Sequence, residues 1–413
     1  MKYIVLVGDG MADYPLKELK RRTPLEAAGI KNLNYFARAG TLGLIRTTPR
    51  GMTPGTDVAN LAILGYDPQR YYSGRGPLEA LNQGIRYGRQ DIIFRCNLVT
   101  AANGKLIDYS AGHVTSEEGK ELFRALNREI GTGSLKFFPG VSYRNLALLK
   151  KPAGLASLLS LRTHPPHDVM GKKFSVIFPK GKGAGMLIGL MERSREILET
   201  HPVNARRKRH GKGPANMIWL WGQGTRPEMP SFYRKYGLKG AVISAVDIVK
   251  GIGRATGMEI IDVPGATGYF DTDYEGKARY ALKALKKNDL VFVHVEAPDE
   301  AGHNGDIKAK IKAIEDFDRK VAGTVLKGIG AYGNYKILAL TDHPTPISLR
   351  THAPDPVPFA IFKNGDNKRG KAGFNERDAK KSRLFFNKGH KLMEFFLKNT
   401  LTPALSPRGR GIR

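Results

Sequence analysis

Seven residues of the chain could do chemistry together: Asp9, Thr56, Asp299, His303, Asp342, His343 and His352. Most stand just beyond short apolar runs, and His352 sits in a loop. Three carboxylates, three imidazoles and a hydroxyl make a mixed oxygen and nitrogen donor set. Such a set suits two divalent ions of the manganese or zinc type better than magnesium. Two ions a few ångströms apart can clamp the attacking and the leaving oxygen of a phosphoryl group. Thr56 follows the Pro54-Gly55 turn and opens a helical stretch. There the free N–H groups and the helix dipole favour a hydroxyl that must carry a phosphoryl group. Taken singly, each residue has a plainer reading. Thr56 or Asp9 could be a helix cap, and Asp299 could cap a helix with His303 on its surface. Their shared placement beyond strand ends favours the joint reading.

The elements that must position these residues are legible as apolar runs. Leu290–Val295 (LVFVHV) has the length of a strand buried on both faces of a parallel sheet. Asp299 and His303 follow it with i, i+4 spacing, so a helical turn would project both from one face. Residues 3–7 precede Asp9, residues 336–340 precede Asp342 and His343, and residues 357–362 form a last strand. Further strands are expected at 217–221 and 240–246, and helices at 25–39, 276–285 and 309–326. Strands alternating with helices predict an α/β fold with a doubly wound, mostly parallel sheet. Such sheets keep their chemistry at the carboxyl ends of the strands.

Between residues 90 and 212 the character changes. Strands at 91–99 and 106–107, helices at 116–130 and 185–199, and a basic loop at 206–212 predict an inserted α+β domain. The catalytic domain is then 1–89 plus 213–400, and 401–413, rich in Pro, Gly and Arg, is expected to be a disordered tail. His113, Arg144, His164, His167 and Asp168 lie in the insertion. Each alone reads as a surface group; together they could form a face for an anionic substrate.

Composition narrows the class. With 41% hydrophobic and 25% charged residues, the 413-residue chain is an ordinary globular protein of about two domains. One cysteine, Cys96, excludes an internal disulfide and a Cys-ligated zinc site and suits a reducing compartment. The first apolar run is too short for a signal peptide, and no stretch reaches membrane-spanning length. A cytoplasmic protein with no membrane partner is expected. The net charge of +29 is dispersed and not interleaved with stacking aromatics, which argues against nucleic acid as the main partner. A positive field that draws in small phosphorylated metabolites is the milder reading.

The strings VGDGMADYP, PGTDVANLAILGYDP, YYSGRGPLEA, DYSAGH, PGVSYRN, GLKGAVISAVDIVKGIG, HVEAPDEAGHNGD, TDHPTP and THAPDPVPF run in order through the chain. In them the sequence resembles the archaeal-type 2,3-bisphosphoglycerate-independent phosphoglycerate mutases of the alkaline phosphatase superfamily, in a form also found in bacteria. The resemblance implies an alkaline-phosphatase-like core. It implies one metal held by Asp299, His303 and His352, and another held by Asp9, Asp342, His343 and the oxygen of Thr56. Manganese is the first expectation, with zinc, cobalt or magnesium as alternatives, and no 2,3-bisphosphoglycerate. His113, Arg144 and Lys250 would contact the phosphate and carboxylate of phosphoglycerate. Thr56 would take the phosphoryl group of 3-phosphoglycerate and return it to the other hydroxyl of a retained glycerate. The inserted domain would meanwhile exclude water. That family normally has serine in PGSDVAN; this chain has Thr56. The rival readings are a phosphotransferase of the same scaffold on another alcohol, such as a proposed homoserine kinase, and a metal-dependent phosphatase. The chain has no GxxxxGK[ST] loop to serve the first.

Overall fold

The computed structural model describes residues 1–367 and 370–398. The tail expected at 401–413 lies outside the described residues. In chain order the strands are β1 (Lys2–Gly8), β2 (Thr41–Ile45), β3 (Ile92–Ala102), β4 (Lys105–Asp108), β5 (Leu135–Val141), β6 (Arg144–Leu149), β7 (Met217–Gly224), β8 (Gly240–Ile243), β9 (Glu259–Ile260), β10 (Leu290–Val295), β11 (Tyr335–Thr341), β12 (Val357–Lys363) and β13 (Phe385–Phe386). The chain divides into two compact units, one of residues 1–72 with 229 onward and the other Ser73–Glu228. The second contains the expected insertion of 90–212 and reaches beyond it on both sides. The helix Arg75–Asn82 and β7, both expected in the catalytic body, belong to it, and that helix packs on β3 and β7.

The first unit is built on an eight-stranded sheet in the order β13-β2-β12-β11-β1-β10-β8-β9. Strands β11, β1, β10, β8 and β9 run parallel to one another, as strand–helix alternation predicts. The last long strand, β12, instead runs antiparallel to both β11 and β2. A loop with no crossover helix joins β11 to β12, whereas parallel neighbours are usually connected through a helix. Alternate residues of the central strands serve opposite faces. Ile4, Leu6, Val291, Val293, Ile337 and Ala339 all join the core formed with the helices Lys31–Ala39 and Tyr274–Ala284. Each large aliphatic side chain so buried contributes about 1.5–3 kcal/mol. The register sets the strand ends level: Gly8 pairs with Val295 on one side and Thr341 on the other. Asp9, Glu296 and Asp342 therefore emerge side by side.

Two local expectations need correction. The helix expected over 25–39 is two helices, Pro24–Ala27 and Lys31–Ala39. The Thr23–Glu26 capping box opens the first, and Ala28 turns to extended backbone before Gly29. The second has no side chain of its own at the cap; the Asp318 carboxylate accepts from the N–H groups of Asn32 (3.2 Å) and Leu33 (2.7 Å). The basic segment expected as a loop at 206–212 lies largely in the helix Pro202–Arg209. Its Arg206, Arg207, Lys208 and Arg209 fall in the last turn, where cations meet the negative end of the dipole.

The second unit carries a five-stranded antiparallel sheet, β4-β3-β6-β5 with β7 paired to β3. The helices Ser116–Glu129 and Ala184–Glu199 pack through Leu122, Phe123, Leu126, Leu187 and Met191 into its core.

A fully buried ion pair, Lys310–Asp13, lies between the loops that follow β1 and β11. Lys310 Nζ donates to Asp13 Oδ2 (2.6 Å), to the carbonyl of Thr345 (2.8 Å) and to that of Ala12 (3.3 Å). It ties the loop after β1 to the loop after β11. The Asp13 N–H in turn donates to Glu376 Oε1 (3.0 Å), and burial raises the Glu376 carboxyl to about 7. Lys310→Met leaves Asp13 buried without its partner and should cost about 3–5 kcal/mol; an unchanged denaturant midpoint would contradict this. Glu376 favours the folded state fully below its ordinary value of 4.5, and that contribution is lost as pH rises through about 7. Glu376→Gln should therefore flatten the fall in melting temperature across this interval, while the parent keeps its slope.

A candidate dinuclear metal centre

The donor residues reach the site from separate elements at the carboxyl ends of the sheet. Asp9 follows β1, and Asp342 and His343 follow β11. Asp299 and His303 lie on the helix Ala297–Asn304 after β10, with i, i+4 spacing on one face. His352 comes from the loop between β11 and β12, and Thr56 is the first residue of the helix Thr56–Ile63. Gly55 occupies the cap position of that helix, so Thr56 is not the N-cap its sequence also allowed. Gly10 makes the close packing possible. Its φ is +62°, and a Cβ there would fall 2.6 Å from Asp299 Oδ1 and 2.7 Å from Thr345 Oγ1.

Two clusters result, Asp9–Asp342–His343 and Asp299–His343–His352, each with ligand atoms mutually within 4.8 Å. In the first, Asp9 Oδ1 faces His343 Nε2 at 3.3 Å. Both atoms are buried and have no hydrogen-bond partner among the described residues. Asp342 Oδ1 accepts from the N–H groups of Gly10 (3.1 Å) and His343 (2.8 Å), and Oδ2 accepts from Asn60 Nδ2 (3.0 Å). Burial, then the charges of Asp342 and Asp299, push the Asp9 carboxyl well above the usual range. Burial also lowers the His343 imidazole to about 4, so it is neutral and keeps a lone pair for a cation.

The second cluster has the same logic. His303 Nε2 lies 3.1 Å from His352 Nε2 and 3.2 Å from Asp299 Oδ2, while His303 Nδ1 faces the Arg350 carbonyl at 3.0 Å. Asp299 Oδ1 accepts from Thr345 Oγ1 and lies 3.6 Å from His352 Nε2. The carbonyl accepts from Nδ1 of His303 and so aims Nε2 at the other ligands, where a bound cation would displace its proton. Burial opposes the charge on His303, but Asp299 outweighs it and raises the imidazole to about 9. Crowded carboxylates, facing imidazole nitrogens and orphaned buried atoms are what a pair of divalent cations would satisfy. The donor set fits such ions.

Comparison with known proteins gives this geometry its family. The model of the 2,3-bisphosphoglycerate-independent phosphoglycerate mutases matches residues 37–204. A curated mutase of that name from Methanothrix thermoacetophila is 55% identical over 366 residues, covering 88% of this chain and 91% of its own. The chain belongs to the 2,3-bisphosphoglycerate-independent phosphoglycerate mutase family. A probable mutase of this kind from Geobacter sulfurreducens is 49% identical and covers 96% of this chain and all of its own. Among solved structures, the cofactor-independent phosphoglycerate mutase of Thermoplasma acidophilum superposes with a TM-score of 0.62 at 29% identity, over 97% of this chain and all of its own. A Pyrococcus horikoshii protein superposes with a TM-score of 0.78 at 31% identity, over 96% of this chain and 97% of its own.

The other residues singled out in the sequence stand on other elements of this mutase-family fold. Lys250, on the helix Asp247–Ala255, is held by Asp262 at 2.7 Å. His113 and Arg144 belong to the second unit. His113 adopts φ +50°, a left-handed conformation uncommon for a residue with a side chain. Arg144 is exposed, pairs with Asn97 across β3 and β6, and lies 5.0 Å from the Tyr143 ring. In the same unit the His167 ring packs edge-on against Tyr109 and Trp221, and burial lowers the His164 imidazole.

Sequence reasoning passed over Asn60, Thr345, His294 and Glu296, all buried at the centre. The available signal was a histidine and a glutamate flanking the end of an otherwise apolar strand. Elemental analysis should find two divalent ions per chain in the parent. Asp299→Ala and His303→Ala should each lower that content clearly, since the Asp9–Asp342–His343 group retains its own donors. Parental metal content in both variants would contradict the assignment.

Proposed function

We propose that this chain is a phosphoglycerate mutase that interconverts 3-phosphoglycerate and 2-phosphoglycerate through a phospho-threonine at Thr56. The carrying observation is the joining of the Thr56 helix to the donor set. Asn60 Nδ2 donates both to the Thr56 carbonyl, at 2.8 Å, and to Asp342 Oδ2. The helix start that presents the hydroxyl is thus registered against a ligand carboxylate, and family membership supplies the reaction.

In this reading Asp299, His303 and His352 hold one ion, and Asp9, Asp342, His343 and Thr56 Oγ1 hold the other; manganese is the first candidate. Bound, the pair would supply Lewis acidity at the phosphoryl oxygens and ease deprotonation of the nucleophile. Thr56 Oγ1 attacks phosphorus, its bond to phosphorus forms, and the bond to the glycerate 3-oxygen breaks. The proton lost by Thr56 matches the one gained by the departing oxygen. The 2-hydroxyl of the retained glycerate then attacks, the bond to Thr56 Oγ1 breaks, and the proton returns. No 2,3-bisphosphoglycerate is needed. His113, Arg144 and Lys250 serve the phosphate and carboxylate of the substrate, a role suited to cationic and imidazole donors. With one buried cysteine, Cys96, the cytoplasm is the expected compartment.

The threonine methyl restricts χ1 without removing the nucleophile. Thr56→Ala should lower mutase turnover by at least about 10³-fold, as expected for loss of a covalent nucleophile. Thr56→Ser should stay active. A coupled mutase assay on metal-stripped and Mn²⁺-reconstituted protein checks both, beside assays for free phosphate and for homoserine with ATP. Near-parental mutase activity in Thr56→Ala would overturn the shuttle, and preferred phosphorylation of homoserine would overturn the substrate.

A further inference from the structure

His294 is a histidine inside the apolar run LVFVHV, fully buried at the end of β10. A polar ring in such a place persists only where both nitrogens are satisfied. Its Nδ1 lies 3.1 Å from Glu296 Oε1. That carboxylate is held in turn by Ser244 Oγ (2.7 Å), the Ala245 N–H (3.1 Å) and Lys277 Nζ (2.8 Å). Lys277 is itself completely buried and also donates to the His294 carbonyl at 3.1 Å. The ring is thus fixed from behind by a carboxylate with three anchors of its own.

Its other face meets the metal-ligand set. His294 Nε2 lies 3.4 Å from Asp9 Oδ2 and 3.6 Å from Asp342 Oδ2, directed between the two carboxylates. On Asp9 this is the oxygen opposite the one that faces His343. We infer that His294 is a positioning residue for the ion held by Asp9, Asp342 and His343, acting through Asp9 Oδ2 and Asp342 Oδ2. Two buried carboxylates repel and would turn apart. A rigid imidazole between Asp9 Oδ2 and Asp342 Oδ2 holds both side chains in place and leaves Asp9 Oδ1 aimed at His343 Nε2. Partners one shell out from a metal fix its ligands in this way, and their loss costs about 10–100-fold in affinity. The inference rests on the ligand assignment above.

The test is an equilibrium Mn²⁺ titration of the full chain against a competing chelator, with Asp342→Ala marking which of the two sites is which. His294→Ala should weaken the Asp9–Asp342–His343 site about 10-fold or more and leave the Asp299–His303–His352 site within about 2-fold. His294→Gln, whose amide can still donate toward the carboxylates, should recover part of the loss. Ser244→Ala, which removes one anchor of Glu296 and the acceptor of the Val246 N–H, should weaken the same site by less, and it carries the test with His294→Gln if His294→Ala does not fold. With both sites present in the parent, parental affinity at both in the variants overturns the inference alone. So does an equal fall at both with a lowered melting temperature, which marks a merely structural histidine. If Asp342→Ala binds as much metal as the parent, the ligand assignment fails, and the inference with it.

Discussion

Three aspartates that cannot comfortably share one buried space set the terms for this molecule. Asp9, Asp299 and Asp342 stand at neighbouring strand ends with little access to water. Their mutual repulsion in a poorly polarisable interior is far larger than it would be at a surface. A fold could relieve it by protonation, but a carboxylic acid is a poor ligand and a poor electrostatic partner for phosphate. Divalent cations relieve it in a way that also creates a reactive centre. The level register of β10, β1 and β11 gathers the carboxylates, so the tension is built into the sheet.

Holding such a cluster requires stiffness around it. Lys310 ties together the loops after β1 and β11, and Thr345 donates to Asp299 from the second of these. Gly302 lets the Asp299 helix approach that loop, where a Cβ would come within 2.4 Å of the Thr345 carbonyl. Asn60 registers the Thr56 helix against Asp342. Ionic groups are expensive to bury, and this unit buries Lys277, Lys310, Asp13 and Glu296 around its reactive residues. In the proposed mechanism, preorganised ligands and a fixed nucleophile would offset that cost in rate.

Much of this was legible in the sequence because its signals are local. Runs such as LVFVHV can be little but buried strands, and ligands placed just after them fall at the carboxyl edge of a parallel sheet. The seven donors sit on the elements expected of them. Other features depend on neighbours distant in the chain. The direction of β12 depends on what pairs with it. The break at Ala28 is coupled to Asp318, some 290 residues away, which caps the helix that follows. Lys310 reads as an ordinary surface lysine of an amphipathic helix until the loops it binds are seen, and His294 hides within an apolar run. The four-residue basic cluster at 206–209 looks like a solvated loop because charge outweighs its helical spacing.

The sequence resemblance implies serine where this chain has Thr56, and the proposed mechanism turns on that hydroxyl. Mass spectrometry of enzyme acid-quenched during turnover of 3-phosphoglycerate measures it directly. The account predicts one added phosphoryl group on the peptide containing Thr56, absent from metal-stripped protein. Sustained mutase turnover with that peptide unmodified throughout would contradict it.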